Sequence, residues 1–199
     1  MENDSYISGI TDQRRSHAPG GTKGIPGWIW RLTPILLLAG VCLVSCIRDR
    51  IPQGADLEVG ARLPEFSVTM NDGSTVSMAD LLGDISCIVF FHTGCPDCQK
   101  TLPLIQQLYD RYGNGPVRFL CISREEGAGE VETYWAENGY TLPYSAQEGR
   151  EIYNLFATFA VPRIYISDRD GIIRSIWTDN PIPTSGELEA ALLAAGEQP

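Results

Sequence analysis

One stretch decides how this chain folds, and it is Phe90-Phe91-His92-Thr93-Gly94-Cys95-Pro96-Asp97-Cys98-Gln99. It closes an apolar run over residues 85–91 that is rich in β-branched and aromatic side chains, which predicts a buried strand. From residue 102 onward, apolar side chains recur at steps of three and four, which predicts an amphipathic helix. Cys95 therefore lies where a strand passes into a helix. Pro96 supports this boundary, because proline suits the first helical position.

The two cysteines of this stretch form a candidate redox pair. Cys95 and Cys98 are three residues apart, so on a helix they lie on one face within reach of a disulfide. Free N–H groups and the positive end of the helix dipole favour a thiolate at Cys95. A zinc site would need about four ligands, but the chain has only two histidines, His17 and His92. A structural disulfide is the other alternative. The helix-terminal position favours redox chemistry, and no metal or cofactor is expected.

The motif resembles the active site of the thioredoxin superfamily, and within it the membrane-tethered, redoxin-like TlpA/ResA-type reductases. In that family a proline follows the second cysteine by five positions, as Pro103 follows Cys98 here. The family usually has Trp before the first cysteine, where this chain has Gly94. It often has Glu three residues after the second cysteine, where this chain has Thr101. The resemblance implies an α/β, thioredoxin-like fold with a central mixed β-sheet flanked by helices.

Other segments fit the same fold. Alternating residues around Asn71-Asp72-Gly73 predict a hairpin, similar to the N-terminal extension of TlpA/ResA-type and peroxiredoxin-like proteins. An apolar strand over residues 117–123 completes a βαβ unit with parallel strands. Helices are predicted over residues 130–137 and 150–158 and after the capping box that begins at Thr184.

The resemblance also assigns a substrate-binding role to Val161 and Pro162. Thioredoxin-like proteins place a cis-proline here, packed against the dithiol, and the backbone before it pairs with the substrate chain. The family often has Thr after this proline, whereas this chain has Arg163, which suggests an altered substrate contact. Cys87 and Cys121 fall in apolar strands and are expected to be buried and inert.

Three residues around the dithiol are expected to tune its reactivity. Pro96 contributes no N–H, and Asp97 places a negative charge where it disfavours the thiolate of Cys95. His92 is the one histidine near the pair and is a candidate proton relay, with a purely structural role as the alternative. A strong oxidant stabilises its thiolate, so Asp97 predicts a reductant-like potential.

The N-terminal part is interpreted as a targeting segment and a tether. Residues 1–45 form a signal or anchor segment with a disordered, polar start, in which basic residues precede an apolar run over residues 35–44. The run ends at Leu43-Val44-Ser45-Cys46, which resembles a bacterial lipobox and makes Cys46 the expected lipidation site. The mostly apolar segment over residues 32–44 has only thirteen residues, whereas a membrane-spanning helix needs ~20. A lipoprotein signal is therefore favoured over an uncleaved anchor. Residues 46–58 form the tether, and residues 59–199 form the thioredoxin-like domain.

These patterns together predict an exported, membrane-anchored thiol–disulfide oxidoreductase of the bacterial cell envelope, with its domain on the periplasmic side. Cys95 attacks a disulfide of a protein substrate, Cys98 resolves the mixed disulfide, and a membrane electron donor restores the dithiol. The net charge of −10 argues against a nucleic-acid surface. One alternative is a peroxiredoxin-like thiol peroxidase, whose reactive cysteine usually has Thr three residues before it, where this chain has His92. A non-catalytic binding module that uses the disulfide as a staple is the other.

Overall fold

The computed structural model describes residues 56–197, and this part opens with an antiparallel hairpin. Its strands are β1 (Ser67–Thr69) and β2 (Thr75–Ser77). Gly73 stands in the connecting turn with φ +83°, a backbone conformation that glycine adopts without steric penalty. The predicted hairpin around Asn71-Asp72-Gly73 is confirmed. A 3₁₀ turn at Met78–Leu81 follows and leads into the central sheet.

The central sheet is mixed and has five strands. They are β3 (Ile85–Phe91), β4 (Val117–Ser123), β5 (Tyr144–Ser145), β6 (Arg163–Ser167) and β7 (Ile173–Trp177). The spatial order is β5-β4-β3-β6-β7, in which β3, β4 and β5 are parallel and β6 is antiparallel to both β3 and β7. All seven residues of β3 are buried, as expected for the central strand. The sheet and its flanking helices form the thioredoxin-like fold that the sequence predicts.

Three helices complete the fold in the described part of the chain, and they are α1 (Pro96–Tyr112), α2 (Ala128–Asn138) and α3 (Ser185–Gly196). The α1 helix connects β3 to its parallel neighbour β4 and continues through Pro103. Gly139 ends α2 with φ +66°. Thr184 and Glu187 form the expected capping box of α3, because each side chain accepts a hydrogen bond from the other residue's N–H.

The helix predicted over residues 150–158 is wrong: the structure has a single 3₁₀ turn, Tyr153–Leu155. The carbonyl of Phe156 shows why the turn does not continue as a helix. It accepts hydrogen bonds from the Leu57 N–H at 2.9 Å and from the Tyr165 hydroxyl at 3.0 Å, so distant residues have replaced the next helical donor. So short a segment has little helical stability of its own, and tertiary contacts decide its conformation.

Asp56 and Leu57, which the sequence places in the tether, contact the domain. Leu57 is 5% exposed, and Asp56 accepts a hydrogen bond from the Thr158 N–H at 2.8 Å. The expected signal segment, the lipidation site Cys46 and the rest of the tether lie outside the described residues. Between residues 56 and 197, no helix has both the length and the apolar character needed to cross a membrane.

Candidate active site

Cys95 lies at the N-terminus of α1, directly after the turn that leaves β3. It is the N-cap residue, and Pro96 is the first residue of the helix. The Cys95 N–H donates to the carbonyl of His92 at 3.0 Å, and the Cys95 carbonyl accepts the first helical hydrogen bond, from Gln99 N–H, at 3.0 Å. The side chain is half-buried, so the sulfur combines a defined position with access from solvent.

Cys98 lies one turn further along α1 in a different environment. It is 0% exposed, and burial raises the pKa of its thiol, although a hydrogen bond from the backbone of His92 opposes this effect. A buried thiol with a raised pKa remains protonated at neutral pH. The two cysteines are therefore chemically unequal, with a more accessible sulfur at the helix end and a protected one behind it. Cys87 and Cys121 are also 0% exposed, as expected of packing residues.

The loop before β6 brings a proline against the dithiol. The Val161–Pro162 peptide bond is cis, which confirms the conformation that the resemblance implies. The Sγ of Cys95 donates to the Val161 carbonyl at 3.3 Å, so this carbonyl lies directly beside the candidate nucleophile. The Tyr153 hydroxyl donates to the neighbouring Ala160 carbonyl at 2.6 Å and holds the loop from behind. A second cis bond, Asn180–Pro181, has no counterpart in the sequence prediction.

Arg163, the residue after the proline, has its side chain buried in the protein. Its side chain is 5% exposed and forms an ion pair with Asp56 at 2.6 Å. It also donates to the carbonyl of Phe159 at 3.1 Å. Arg163 therefore points into the protein and connects the proline loop to the start of the domain.

Asp97 has a charged partner one turn further along α1. Its carboxylate forms an ion pair with the Lys100 ammonium at 2.8 Å, and both side chains are exposed. The ammonium partly neutralises the negative charge of this carboxylate. Thr101 is buried, and its hydroxyl donates to the Asp97 carbonyl at 2.8 Å, so it has a local backbone role in place of the family's usual carboxylate.

Glu126 is the residue that sequence reasoning missed. It follows β4, is 7% exposed, and reaches across to the turn between β3 and α1. One carboxylate oxygen accepts from the Thr93 N–H at 2.8 Å, and the other accepts from the Thr93 hydroxyl. The Nδ1 of His92 is 3.7 Å from the same carboxylate. A buried carboxylate thus lies beneath the turn that carries Cys95.

The same turn borders an open cavity of about 420 Å³, lined by Thr93 and by α2 residues that include Glu130, Tyr134 and Glu137. Across residues 56–197, no group of three or more His, Cys, Asp or Glu side chains is arranged to hold a metal ion. The chemistry that the described site offers is that of two thiols and their polar neighbours.

A thioredoxin-like fold that carries a Cys-x-x-Cys pair at this strand-to-helix junction defines the class of thiol–disulfide oxidoreductases, and this protein is an enzyme of that class. More narrowly, the chain belongs to the AhpC/TSA family, whose profile matches residues 59–176.

Bacterial proteins named thiol-disulfide oxidoreductase ResA are similar to this chain. The protein of Bacillus thuringiensis strain Al Hakam is 23% identical over 143 residues, which cover 72% of this chain and 83% of the relative. That of Geobacillus kaustophilus is 25% identical over 150 residues, covering 75% and 86%. The crystal structure of a thiol:disulfide interchange protein from Chlorobium tepidum TLS aligns with a TM-score of 0.61 at 22% identity, covering 71% of this chain and 100% of the other. At this identity, the structural likeness establishes the fold.

Proposed function

We propose that the protein reduces disulfide bonds in other proteins, through Cys95 and Cys98, on the outer side of the bacterial inner membrane. The observation that carries this proposal is the inequality of the two thiols. Cys95 is half-buried at a helix N-terminus, whereas Cys98 is 0% exposed with a raised pKa. This is the division that a two-step exchange needs, because one thiol must meet the substrate and the other must act only afterwards.

The exchange begins when the Cys95 thiolate attacks one sulfur of the substrate disulfide. A Cys95–substrate disulfide forms, and the other substrate sulfur leaves as a thiolate and takes up a proton. Cys98 then gives up its proton and attacks the Sγ of Cys95, which releases the second substrate thiol and leaves a Cys95–Cys98 disulfide. The substrate gains two electrons and the enzyme loses two. A dithiol or membrane electron donor must return them for a second cycle.

Val161 and Pro162 are proposed to bind the substrate chain. The Val161 carbonyl lies 3.3 Å from the Cys95 sulfur, so a substrate strand that pairs with this backbone presents its own cysteine to the nucleophile. The exposed edge of a backbone offers hydrogen bonds without selecting side chains, which suits an enzyme that acts on more than one protein. Pro96, Asp97 and His92 are proposed to tune the dithiol from the helix and the preceding turn.

The cellular location is proposed on the sequence of residues 1–58. A lipid attached to Cys46 anchors the protein, and the tether keeps the domain at the membrane surface. The similarity to ResA proteins supports an enzyme of the same chemistry.

A thiol peroxidase is the second candidate, because the chain belongs to the AhpC/TSA family. Two features favour the reductase. A thiol peroxidase usually has Thr three residues before its reactive cysteine, whereas this chain has His92 there. The nearest threonine, Thr93, has its hydroxyl bound to Glu126. In the third candidate, a non-catalytic binding module, the Cys95–Cys98 disulfide is permanent and only stabilises the fold. That role does not require Cys95 to be accessible.

The test is the reduction of insulin by dithiothreitol, which is measured through the precipitation of the freed B chain. We expect the wild-type domain to accelerate insulin reduction, and the Cys95→Ser variant to show only the rate of the uncatalysed reaction. A parallel assay follows the consumption of hydrogen peroxide with the same reductant. Acceleration in the peroxide assay alone would support the peroxidase, and no acceleration in either would support the binding module.

A further inference from the structure

The turn that carries Cys95 is held by the side chain of His92. Its Nδ1 accepts a hydrogen bond from the Gly94 N–H at 3.0 Å. A ring nitrogen accepts only when it carries no proton, so the imidazole bound in this way is neutral and has its proton on Nε2. A Cβ added at Gly94 would lie 3.3 Å from this nitrogen, which is tighter than an ordinary contact. The imidazole therefore occupies the space that a side chain at position 94 would need.

Glu126 provides a second partner for the same nitrogen. Its Oε1 lies 3.7 Å from the Nδ1 of His92, and its side chain is 5% exposed. Both hydrogen bonds from Thr93 hold the carboxylate in place. A protonated imidazole carries a proton on Nδ1, so it can no longer accept from Gly94, whereas it can donate to a carboxylate. The nitrogen thus has one partner for each protonation state.

We infer that His92 is a positioning residue for Cys95, and that protonation of its imidazole moves the turn from a state held through Gly94 to a state held through Glu126. In the neutral state, the Gly94 N–H is bound and the adjoining bond from the Cys95 N–H to the His92 carbonyl, 3.0 Å long, keeps the sulfur at the helix end. In the protonated state, the Gly94 N–H is released and the turn loses this restraint. The inference rests on the proposed role of Cys95 as the nucleophile.

The other charged or titratable groups around the turn do not produce this switch. Burial raises the pKa values of the Cys98 thiol and of the Tyr134 hydroxyl, which moves both away from neutral pH. Arg124, which follows β4, stays charged. On α2, Glu130 and Glu137 line the cavity beside Thr93, and on α1 the Asp97–Lys100 pair is exposed. Histidine is the side chain whose charge ordinarily changes between pH 5 and 8.

The test follows the rate at which iodoacetamide alkylates Cys95 in the reduced wild-type domain from pH 5 to 10, with the modified peptide measured by mass spectrometry. We expect two ionisations in the profile: that of the thiol itself and a second one that belongs to the imidazole. The matched variant is His92→Asn, because its Oδ1 takes the place of Nδ1 as an acceptor and cannot be protonated. It should keep the rate at pH 8 within about twofold and show one ionisation. His92→Ala loses the acceptor at every pH, and its rate at pH 8 should fall about two- to tenfold, the range that one hydrogen bond supports.

Two outcomes would overturn the inference: a single ionisation in the wild-type profile, or a second ionisation that persists in His92→Asn. Glu126→Gln tests the other partner, because the state held through the carboxylate is removed and the second ionisation should change the alkylation rate by a different factor than in the wild type. A profile identical to that of the wild type would overturn the part of the inference that assigns the protonated state to Glu126. Thermal unfolding of each variant establishes that it is folded. Alkylation needs no disulfide substrate, so a two-ionisation profile together with inactivity towards insulin would count against the proposed function alone.

Discussion

The ion pair between Asp56 and Arg163 offers the sharpest test of how the proline loop is held. Asp56 stands at the start of the described chain, and its carboxylate lies 2.6 Å from the Arg163 guanidinium. It also accepts hydrogen bonds from the N–H of Thr158 at 2.8 Å and from the hydroxyl of Thr158 at 2.7 Å. We predict that Asp56→Asn destabilises the domain, because the amide leaves the buried guanidinium without its counter-charge.

The size of the loss follows from the burial of the two partners. Removing one partner of a fully buried ion pair costs about 3–5 kcal/mol. The Arg163 side chain is 5% exposed, but that of Asp56 is 31% exposed. Water therefore screens part of the interaction, and we expect a loss of about 2–3 kcal/mol in the free energy of unfolding. With a urea dependence of about 1–3 kcal/mol per molar, the midpoint should fall by roughly 0.7–3 M.

The assay is urea unfolding of the domain at pH 7, with Asp179→Asn as the control, because Asp179 is exposed and its substitution changes the net charge equally. The control should move the midpoint little. Arg163→Met and the double variant complete a cycle that isolates the pair, and we expect a coupling of at least about 1 kcal/mol. A loss below about 0.5 kcal/mol in Asp56→Asn, or additive single variants, would refute the reasoning.

Acid gives an independent check on the same pair. Desolvation by itself would raise the pKa of Asp56, but hydrogen bonds from Thr158 and Arg163 outweigh it and hold the pKa below its ordinary value. The pair's contribution to stability is therefore fully present above the unfolded-state value of about 3.9 and is lost as the pH falls through the folded-state value. The difference in stability between wild type and Asp56→Asn should thus persist at pH 7 and shrink below about pH 4.

Three further predictions concern the dithiol and the anchor. Cys98→Ser should accumulate mixed disulfides with a disulfide-bonded substrate and Cys95→Ser none, as seen by non-reducing mass spectrometry; equal trapping by both would contradict the assigned roles. Asp97→Asn should raise the reduction potential in a glutathione redox buffer, because the reduced form gains stability, whereas Lys100→Met should lower it. Both shifts should stay within roughly 20 mV, since the pair is exposed, and a lower potential in Asp97→Asn would overturn the electrostatic account. Mass spectrometry of the mature protein should find a lipidated N-terminal Cys46, whereas an intact start would support an uncleaved anchor.

Features that depend on residues close together in the chain were predictable. The dithiol at the start of α1, the turn at Gly73, the capping box at Thr184 and the αL stop at Gly139 each depend on a few neighbouring residues. Continuous apolar runs located β3 and β4 with their observed bounds, because a strand buried on both faces is apolar throughout. The cis bond before Pro162 followed from the family resemblance. The presence of a proline would not have predicted it, because only about 5–6% of X–Pro bonds are cis.

Contacts between distant residues were not predictable in the same way. Asp56 and Arg163 are separated by 107 positions, and no local pattern indicates that they meet. The family resemblance suggests an altered substrate contact at Arg163, but a resemblance places a residue along the chain and does not show where its side chain points. The turn at Tyr153–Leu155 has the same origin, since a donor from Leu57 ends it.

The position of Glu126 was predictable in part, and the sheet topology shows which part. In a βαβ unit with parallel strands, the segments that follow the two strands emerge at the same edge of the sheet. Here Phe91 ends β3 directly opposite Ser123 at the end of β4, so the residues after each strand must lie close together. The sequence therefore implies that the segment after β4 approaches the turn before Cys95. It does not indicate which of the charged residues there turns inward: in the structure it is Glu126, which follows a residue, Glu125, whose backbone adopts φ +60°. The direction of a side chain in this short segment depends on its local backbone, which the sequence does not specify, so the carboxylate beneath the turn that carries Cys95 is found only in the structure.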